Sequence, residues 1–236
     1  MRRLLVGELA GLLLAGCGGA PPIPIATPVP PTPTPTPAQV AQLSAAAMAQ
    51  LKSAHFVLAV DGLAQSTGFA LQVSGAEGDV VAPDRLKARL KARLGQSPVD
   101  SELVVLGQER FLKNPLSGKF EPLTVPIGSL ALLDPQQGAA KLLRDLKDPA
   151  AGGRETLDGA EADVIAGTLE ARELTDLFGG DPGASPVPTQ LWIGTADRLV
   201  HKARLSGPVA AGEPAAIVRT LTLSGFNQHV AIERPA

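Results

Sequence analysis

The chain has 236 residues, with 21 Lys and Arg against 23 Asp and Glu for a formal charge of −2, which is not the basic surface that a nucleic-acid partner selects. Its one cysteine leaves no intramolecular disulfide, so any folded part stands on its apolar core. Six Phe, one Trp and no Tyr argue against polysaccharide recognition on aromatic platforms.

The first 16 residues have the layout of a secretory signal. Arg2 and Arg3 form a basic start, Leu4 to Leu14 a short apolar stretch, and Ala15 and Gly16 the small residues ahead of cleavage. At about 11 residues the apolar stretch is well short of the roughly 20 that span a bilayer. The order Leu14-Ala15-Gly16-Cys17 resembles the bacterial lipobox. That resemblance implies a diacylglyceryl group on the Cys17 thiol, with cleavage between Gly16 and Cys17. An ordinary signal peptide with an incidental cysteine is the alternative. Two acyl chains anchor a protein stably where a single chain gives only marginal binding. Removing residues 1–16 takes away Arg2, Arg3 and Glu8 and leaves 19 basic against 22 acidic side chains, a formal charge of −3.

Residues 17–37 form the lipidated cysteine and a linker. Pro21, Pro22, Pro24, Pro28, Pro30 and Pro31 are followed by Pro33, Pro35 and Pro37 alternating with Thr32, Thr34 and Thr36. Such a run makes neither helix nor sheet ladders and reads as an extended spacer, about 3.1 Å per residue and roughly 60 Å for twenty residues. A proline-rich recognition motif is the alternative, but the repeat has no flanking charge.

From residue 38 onward about 200 residues remain, enough for one domain with a sizeable core. Thr36 as cap, Pro37 at the first helical position and Gln39 three residues past the cap predict a capping box and a helix over 37–54, with Val40, Leu43, Ala47, Leu51 and Ala54 on one face. Period-two alternation then predicts neighbouring antiparallel strands through Phe56, Leu58 and Val60 and through Phe69, Leu71 and Val73. In residues 85–94 the spacing of Leu86, Leu90 and Leu94 suits a helix, while the strict alternation of cations with Leu86, Ala88, Leu90, Ala92 and Leu94 suits a strand, the reading adopted. Its partner is Val99 to Leu106 across a Gly95–Pro98 turn, a register that places Arg93 against Asp100, Lys91 against Glu102 and Leu90 against Leu103. A further strand is expected over Glu109–Lys113. Asp134 and Pro135 predict a helix carrying Leu142, Leu143 and Leu146, ending before Pro149. Asp158-Gly159 marks a hairpin, Leu174, Leu177 and Phe178 a short helix, and three strands near 189–194, 198–206 and 216–225 close the chain. The whole is α+β, with about nine or ten strands and three or four helices.

Catalytic chemistry is not legible. His55, His201 and His229 lie far apart, each read as a strand-face residue and none at metal-ligand spacing. There is no Gly-x-Ser-x-Gly elbow, and Gly152-Gly153 and Gly179-Gly180 lack the lysine of a phosphate loop. Glu161 and Asp163 beside the hairpin turn are expected to be solvated. These readings give no enzyme, no cofactor and no metal. The inner-facing mixture of Leu and Val with Ala88, Ala92 and Ser101 instead allows either an apolar hollow or close helix packing.

The stretches Leu51-Lys52-Ser53-Ala54-His55-Phe56, Ala76-Glu77-Gly78-Asp79-Val80-Val81-Ala82-Pro83-Asp84-Arg85, Glu109 to Phe120, Gln190-Leu191-Trp192-Ile193-Gly194 with Arg198-Leu199-Val200, Leu223-Ser224-Gly225-Phe226 and Val230-Ala231-Ile232 stand in an order that resembles the LppX/LprAFG family of bacterial cell-envelope lipoproteins. The resemblance covers about 180 residues with gaps. It implies a half-barrel of strongly curved antiparallel strands, similar in shape to the Lol carriers, with helices covering the concave face. It also implies that residues 38–236 hold the acyl chains of a lipid or glycolipid in an apolar cavity, as a monomer tethered through Cys17 to the extracytoplasmic face of the membrane, carrying or presenting the lipid across the envelope. An envelope transporter of unspecified kind is the implied partner. The expected cavity wall is Phe56, Leu58, Val60, Phe69, Leu71, Val73, Leu86, Ala88, Leu90, Leu103, Val105, Leu142 and Leu146, with the helix at 135–147 as its gate. Phe120 and Phe226 stand where such proteins often carry Trp or Tyr. A tethered sensor or scaffold with a filled core is the alternative.

Overall fold

Period-two patterning dominates the chain after residue 52, and the computed structural model, which describes residues 34–63, 71–123 and 131–235, resolves it into one antiparallel sheet. The signal segment, Cys17, the linker to residue 33 and Phe69 lie outside the described residues. Helix α1 spans Pro37–Met48. The capping box forms as expected: Gln39 N donates to Thr36 Oγ1 at 3.3 Å, and Thr36 N donates to Gln39 Oε1 at 2.8 Å. The helix stops six residues before the expected 54, because the Gln50 and Leu51 amides bond the carbonyls of Ala47 and Met48 and the chain turns into a strand at Ser53. Its buried stripe is Val40, Ala41, Ser44, Ala45 and Met48, which leaves Leu43 49% exposed and corrects the predicted face.

Strands β1 (Ser53–Asp61), β2 (Leu71–Val81), β3 (Arg85–Leu94), β4 (Ser97–Leu106), β5 (Glu109–Lys113) and β6 (Phe120–Pro122) run as a meander. Helix α2 (Ala139–Asp145) follows, then β7 (Lys147–Leu157), β8 (Ala160–Leu169), helix α3 (Ala171–Phe178), β9 (Val187–Gly194), β10 (Val200–Ser206) and β11 (Val218–Ser224). The second series returns beside the first, giving the order β6-β5-β4-β3-β2-β1-β11-β10-β9-β8-β7. The result is an unclosed, curved α+β half-barrel of eleven strands, one or two more than expected.

Strand β3 alternates exposed cations with Leu86, Ala88, Leu90 and Ala92 as predicted. Its register with β4 does not match the prediction: Lys91 opposes Asp100, Arg89 opposes Glu102 and Leu90 opposes Ser101. The shift is two residues, since the loop is Gly95-Gln96 with Gly95 at φ 63° rather than a four-residue turn. An even shift preserves which face each side chain takes. Strand β2 runs on to Val81 through a bulge between Val73 and Gly75, a continuation that alternation alone does not reveal.

Asp134 does not cap α2. Its carboxylate accepts from the amides of Gln136 at 2.7 Å and Gln137 at 3.1 Å, forming a turn ahead of the helix, and Gly138 takes the cap position. A side chain at Gly138 would meet the carbonyl oxygens of Leu132 at 2.2 Å and Ala131 at 2.5 Å, so glycine alone fits where the chain doubles back. Pro149 and Gly152-Gly153 lie within β7 rather than beyond a helix, tolerated because β7 is an edge strand with bulges. All the described strands and helices lie in one compact unit, Pro35–Ala236, which carries its own core.

Candidate functional site

The inner side of the sheet is built from single side chains in register. Leu58 of β1 sits between Ala76 of β2 and Leu221 of β11, Leu221 lies beside Ala203 of β10, Ala203 beside Leu191 of β9, and Leu191 beside Ile165 of β8. Two short helices cover this row. Ala139, Leu142 and Leu143 of α2 and Leu174, Leu177 and Phe178 of α3 face Leu58, Leu169, Leu191, Val200, Ala203, Leu205, Leu221 and Leu223 around an apolar cavity of about 60 Å³. Apart from Thr189 and Arg219 its lining is hydrocarbon. Ligand pockets typically span about 300–1,000 Å³, and this space lies well below that range.

The cavity lies mainly under β8–β11, whereas the predicted wall falls mainly on β1–β4. Leu58 and Leu142 line it. Phe56, Leu86, Ala88, Leu90, Leu103, Val105 and Leu146 belong to the same apolar cluster, and Val73 packs against it. Val60 is half-buried near the end of β1, and Leu71 opens β2. Leu169, Leu191, Leu205, Leu221 and Leu223 are the lining residues the prediction omits. Their signal was the alternation at Leu221 and Leu223 and at Thr189, Leu191 and Ile193.

A second depression, about 530 Å³, is lined by the exposed Val57, Glu77, Arg89 and Lys91 with Asp100, Glu102 and Lys113, and also by Leu58, Ala76, Leu90 and Ser101. Glu77, Arg89 and Glu102 stand side by side in register, and Lys113 pairs with Glu102 at 3.5 Å. Alternating charge of this kind suits water better than an acyl chain.

His55 and His201 are held by carboxylates, His55 Nδ1 lying 2.9 Å from Asp79 Oδ1 and His201 Nε2 lying 2.9 Å from Asp197 Oδ2, whereas His229 is exposed in the irregular segment beyond β11 and corrects the expectation of a strand-face residue. His55 and His201 sit on strands, as expected. Asp163 corrects the expectation of a solvated carboxylate, being 18% exposed between Arg154 at 3.0 Å and Arg198 at 3.5 Å, while Glu161 keeps a looser contact with Arg154 at 3.7 Å. Among the described residues no group of His, Cys, Asp and Glu is placed to hold a metal ion, and no described helix is long and apolar enough to cross a membrane.

The two cavity helices are held by buried side chains, Ala140 and Leu143 of α2 and Ala171, Leu174 and Leu177 of α3, rather than by caps. Neither α2 nor α3 has a side-chain cap at its N-terminus. Lys147, just past α2, donates to Glu170, the residue before α3, at 2.5 Å. That hydrogen bond and the opposite charge hold the Glu170 carboxyl below its ordinary range and the Lys147 ammonium above its own. The carboxylate's contribution is present above the unfolded value near 4.3 and fades as pH falls, and the ammonium's is present below about 10.4 and fades as pH rises. The pair therefore works between roughly pH 5 and 10. Lys147→Met is expected to lower stability slightly at pH 7 and by less at pH 3, as denaturant midpoints measure. Equal deficits at both pH values would contradict this.

Comparison with known proteins gives concordant matches. The LppX_LprAFG lipoprotein family model matches residues 36–232. "Lipoarabinomannan carrier protein LprG" of Mycobacterium tuberculosis is 28% identical over 191 residues, covering 78% of this chain and 76% of the relative. The crystal structure of LprF from Mycobacterium bovis superposes with a TM-score of 0.68 at 22% identity, covering 87% of this chain and 100% of that one. The Mycobacterium tuberculosis lipoprotein LppX gives 0.58 at 24% identity, covering 84% and 99%. At these identities the two structures speak for the fold.

Proposed function

Because the chain belongs to the LppX_LprAFG lipoprotein family, we propose that it is a membrane-tethered carrier that holds the acyl chains of a lipid or glycolipid between its concave sheet and the helices α2 and α3. The observation that carries this reading is the unbroken hydrocarbon row Leu58–Leu221–Ala203–Leu191–Ile165 beneath two short, uncapped helices. The name of its relative LprG, a lipoarabinomannan carrier, supports a lipid with a polar head.

The mechanism is partition. Each methylene moved from bilayer to protein exchanges one apolar surrounding for another, each worth about 0.8 kcal/mol relative to water, so transfer is nearly isoenergetic and reversible. Entry requires α2 and α3 to move apart from the sheet, widening the closed cavity, with the incoming acyl chain replacing the apolar contacts that Leu143, Leu174 and Leu177 give up. Cys17 carries the anchor on the extracytoplasmic side of the membrane, and the proline spacer lets the domain reach from one surface to the next.

The closed cavity of about 60 Å³ favours a second reading, a tethered scaffold with a filled core. Transfer of a fluorescent diacyl lipid between vesicles separates them. The Pro35–Ala236 unit is expected to raise the transfer rate saturably without any nucleotide, and an unchanged rate leaves the scaffold. For the anchor, Cys17→Ala is expected to move the full chain from the membrane fraction to the soluble one.

A further inference from the structure

Arg219 lies on β11 between Val60 of β1 and Leu205 of β10, two residues before Leu221, and so shares the inner face. Its side chain is only 12% exposed. One end of the guanidinium is spoken for: Nη2 donates to Glu213 Oε1, while Glu213 Oε2 accepts from the amides of Val209 at 2.8 Å and Ala210 at 3.0 Å. The other end is not. Nη1 is fully buried and has no hydrogen-bond partner among the described residues, yet Arg219 lines the apolar cavity. The other polar lining residue, Thr189, donates its hydroxyl to Val187 O of its own strand at 3.0 Å. Arg219 Nη1 is thus the one fully buried side-chain donor of the described lining without a hydrogen-bond partner.

A buried donor of a charged group without an acceptor is costly and is seldom kept without a use. We propose that Arg219 Nη1 is the polar anchor of the lipid site and donates to the ester carbonyl oxygen at the head of a bound acyl chain. Charge selects an ester over a free acid. Glu213 already neutralises the guanidinium, so a carboxylate or phosphate would bring a second anion into a low-dielectric pocket, whereas a carbonyl oxygen accepts without adding charge. The ligand class is then an acyl ester, its hydrocarbon under α2 and α3 and its first polar atom at Arg219. This rests on the acyl-chain reading above and adds the atom that tells one chain from another.

The test compares dipalmitoylglycerol, its dihexadecyl ether analogue and palmitate for binding to the Pro35–Ala236 unit. The ester is expected to bind on the order of tenfold tighter than the ether, the size of a hydrogen bond to a charged group. Glu213→Gln combined with Arg219→Met keeps an acceptor for the two amides and is expected to abolish the difference. A lowered ester carbonyl stretching frequency in the bound lipid, absent in the double variant, supports the same assignment. Ester and ether binding equally to the unaltered protein overturns the anchor and leaves the carrier reading intact. Palmitate binding tighter than the ester overturns it in favour of an anion site, and no binding of any of the three removes both readings. Should the double variant fail to fold, the ester-to-ether ratio and the carbonyl frequency in the unaltered protein decide.

Discussion

Replacing Gly78 with alanine is expected to destabilise the protein by about 3 kcal/mol, a large share of the roughly 5–15 kcal/mol that holds a domain together. Gly78 opposes Phe56 on one side and Ala88 on the other, in the inner row where the sheet bends. A Cβ there would lie 2.0 Å from the Lys87 carbonyl oxygen and 2.6 Å from the Ala88 Cα. Both are backbone atoms, so relief requires β2 and β3 to separate rather than a side chain to turn. Overpacking of an adaptable core costs about 1–3 kcal/mol, and this site is less adaptable. A lowered urea midpoint at unchanged m-value is the predicted readout, and a loss within about 0.5 kcal/mol would mean that the close approach is not a structural requirement.

The second large effect is on ligand rather than fold. Ala203 is half-buried, lies between Leu221 and Leu191 and lines the cavity. Ala203→Phe would place a ring where the acyl chain is proposed to run, at a stability cost of about 1–3 kcal/mol. Lipid retained through purification, measured by mass spectrometry, is expected to fall at least tenfold. Ala59→Phe serves as the control, since Ala59 is exposed on the opposite face of β1. Retention equal in both variants would place the lipid elsewhere.

Much of this architecture was legible in the chain, and the parts that were not have identifiable reasons. Both β3 and β5 fall at the expected residues, and in β3 the strand reading rather than the helical one holds because it puts every cation on the exposed face. The β3–β4 register escaped by two residues since Gly95-Gln96 closes a shorter turn than Gly95–Pro98, yet an even slip left Leu90 and Ala92 inside. The stripe on α1 was misplaced because an alanine-rich helix offers little contrast: Ala41 and Ala45 are buried while Leu43 is not. The cavity was expected under β1–β4, where inward side chains are easiest to read. Which half of the sheet receives α2 and α3 depends on the second series of strands folding back to β1, and no local pattern encodes that pairing. Arg219 was the detectable omission. It is in phase with Leu221 and Leu223, and an inward cation in a hydrocarbon row is a signal that alternation alone would have given.

The most direct test of an acyl chain beneath α2 and α3 is methyl NMR of the Pro35–Ala236 unit with a lipid bearing a nitroxide along its chain. The account predicts that the methyl signals of Leu142, Leu174, Leu191, Leu221 and Leu223 broaden while that of Val57 on the charged side of the sheet stays sharp. Broadening at Val57 with the cavity leucines unaffected would contradict it.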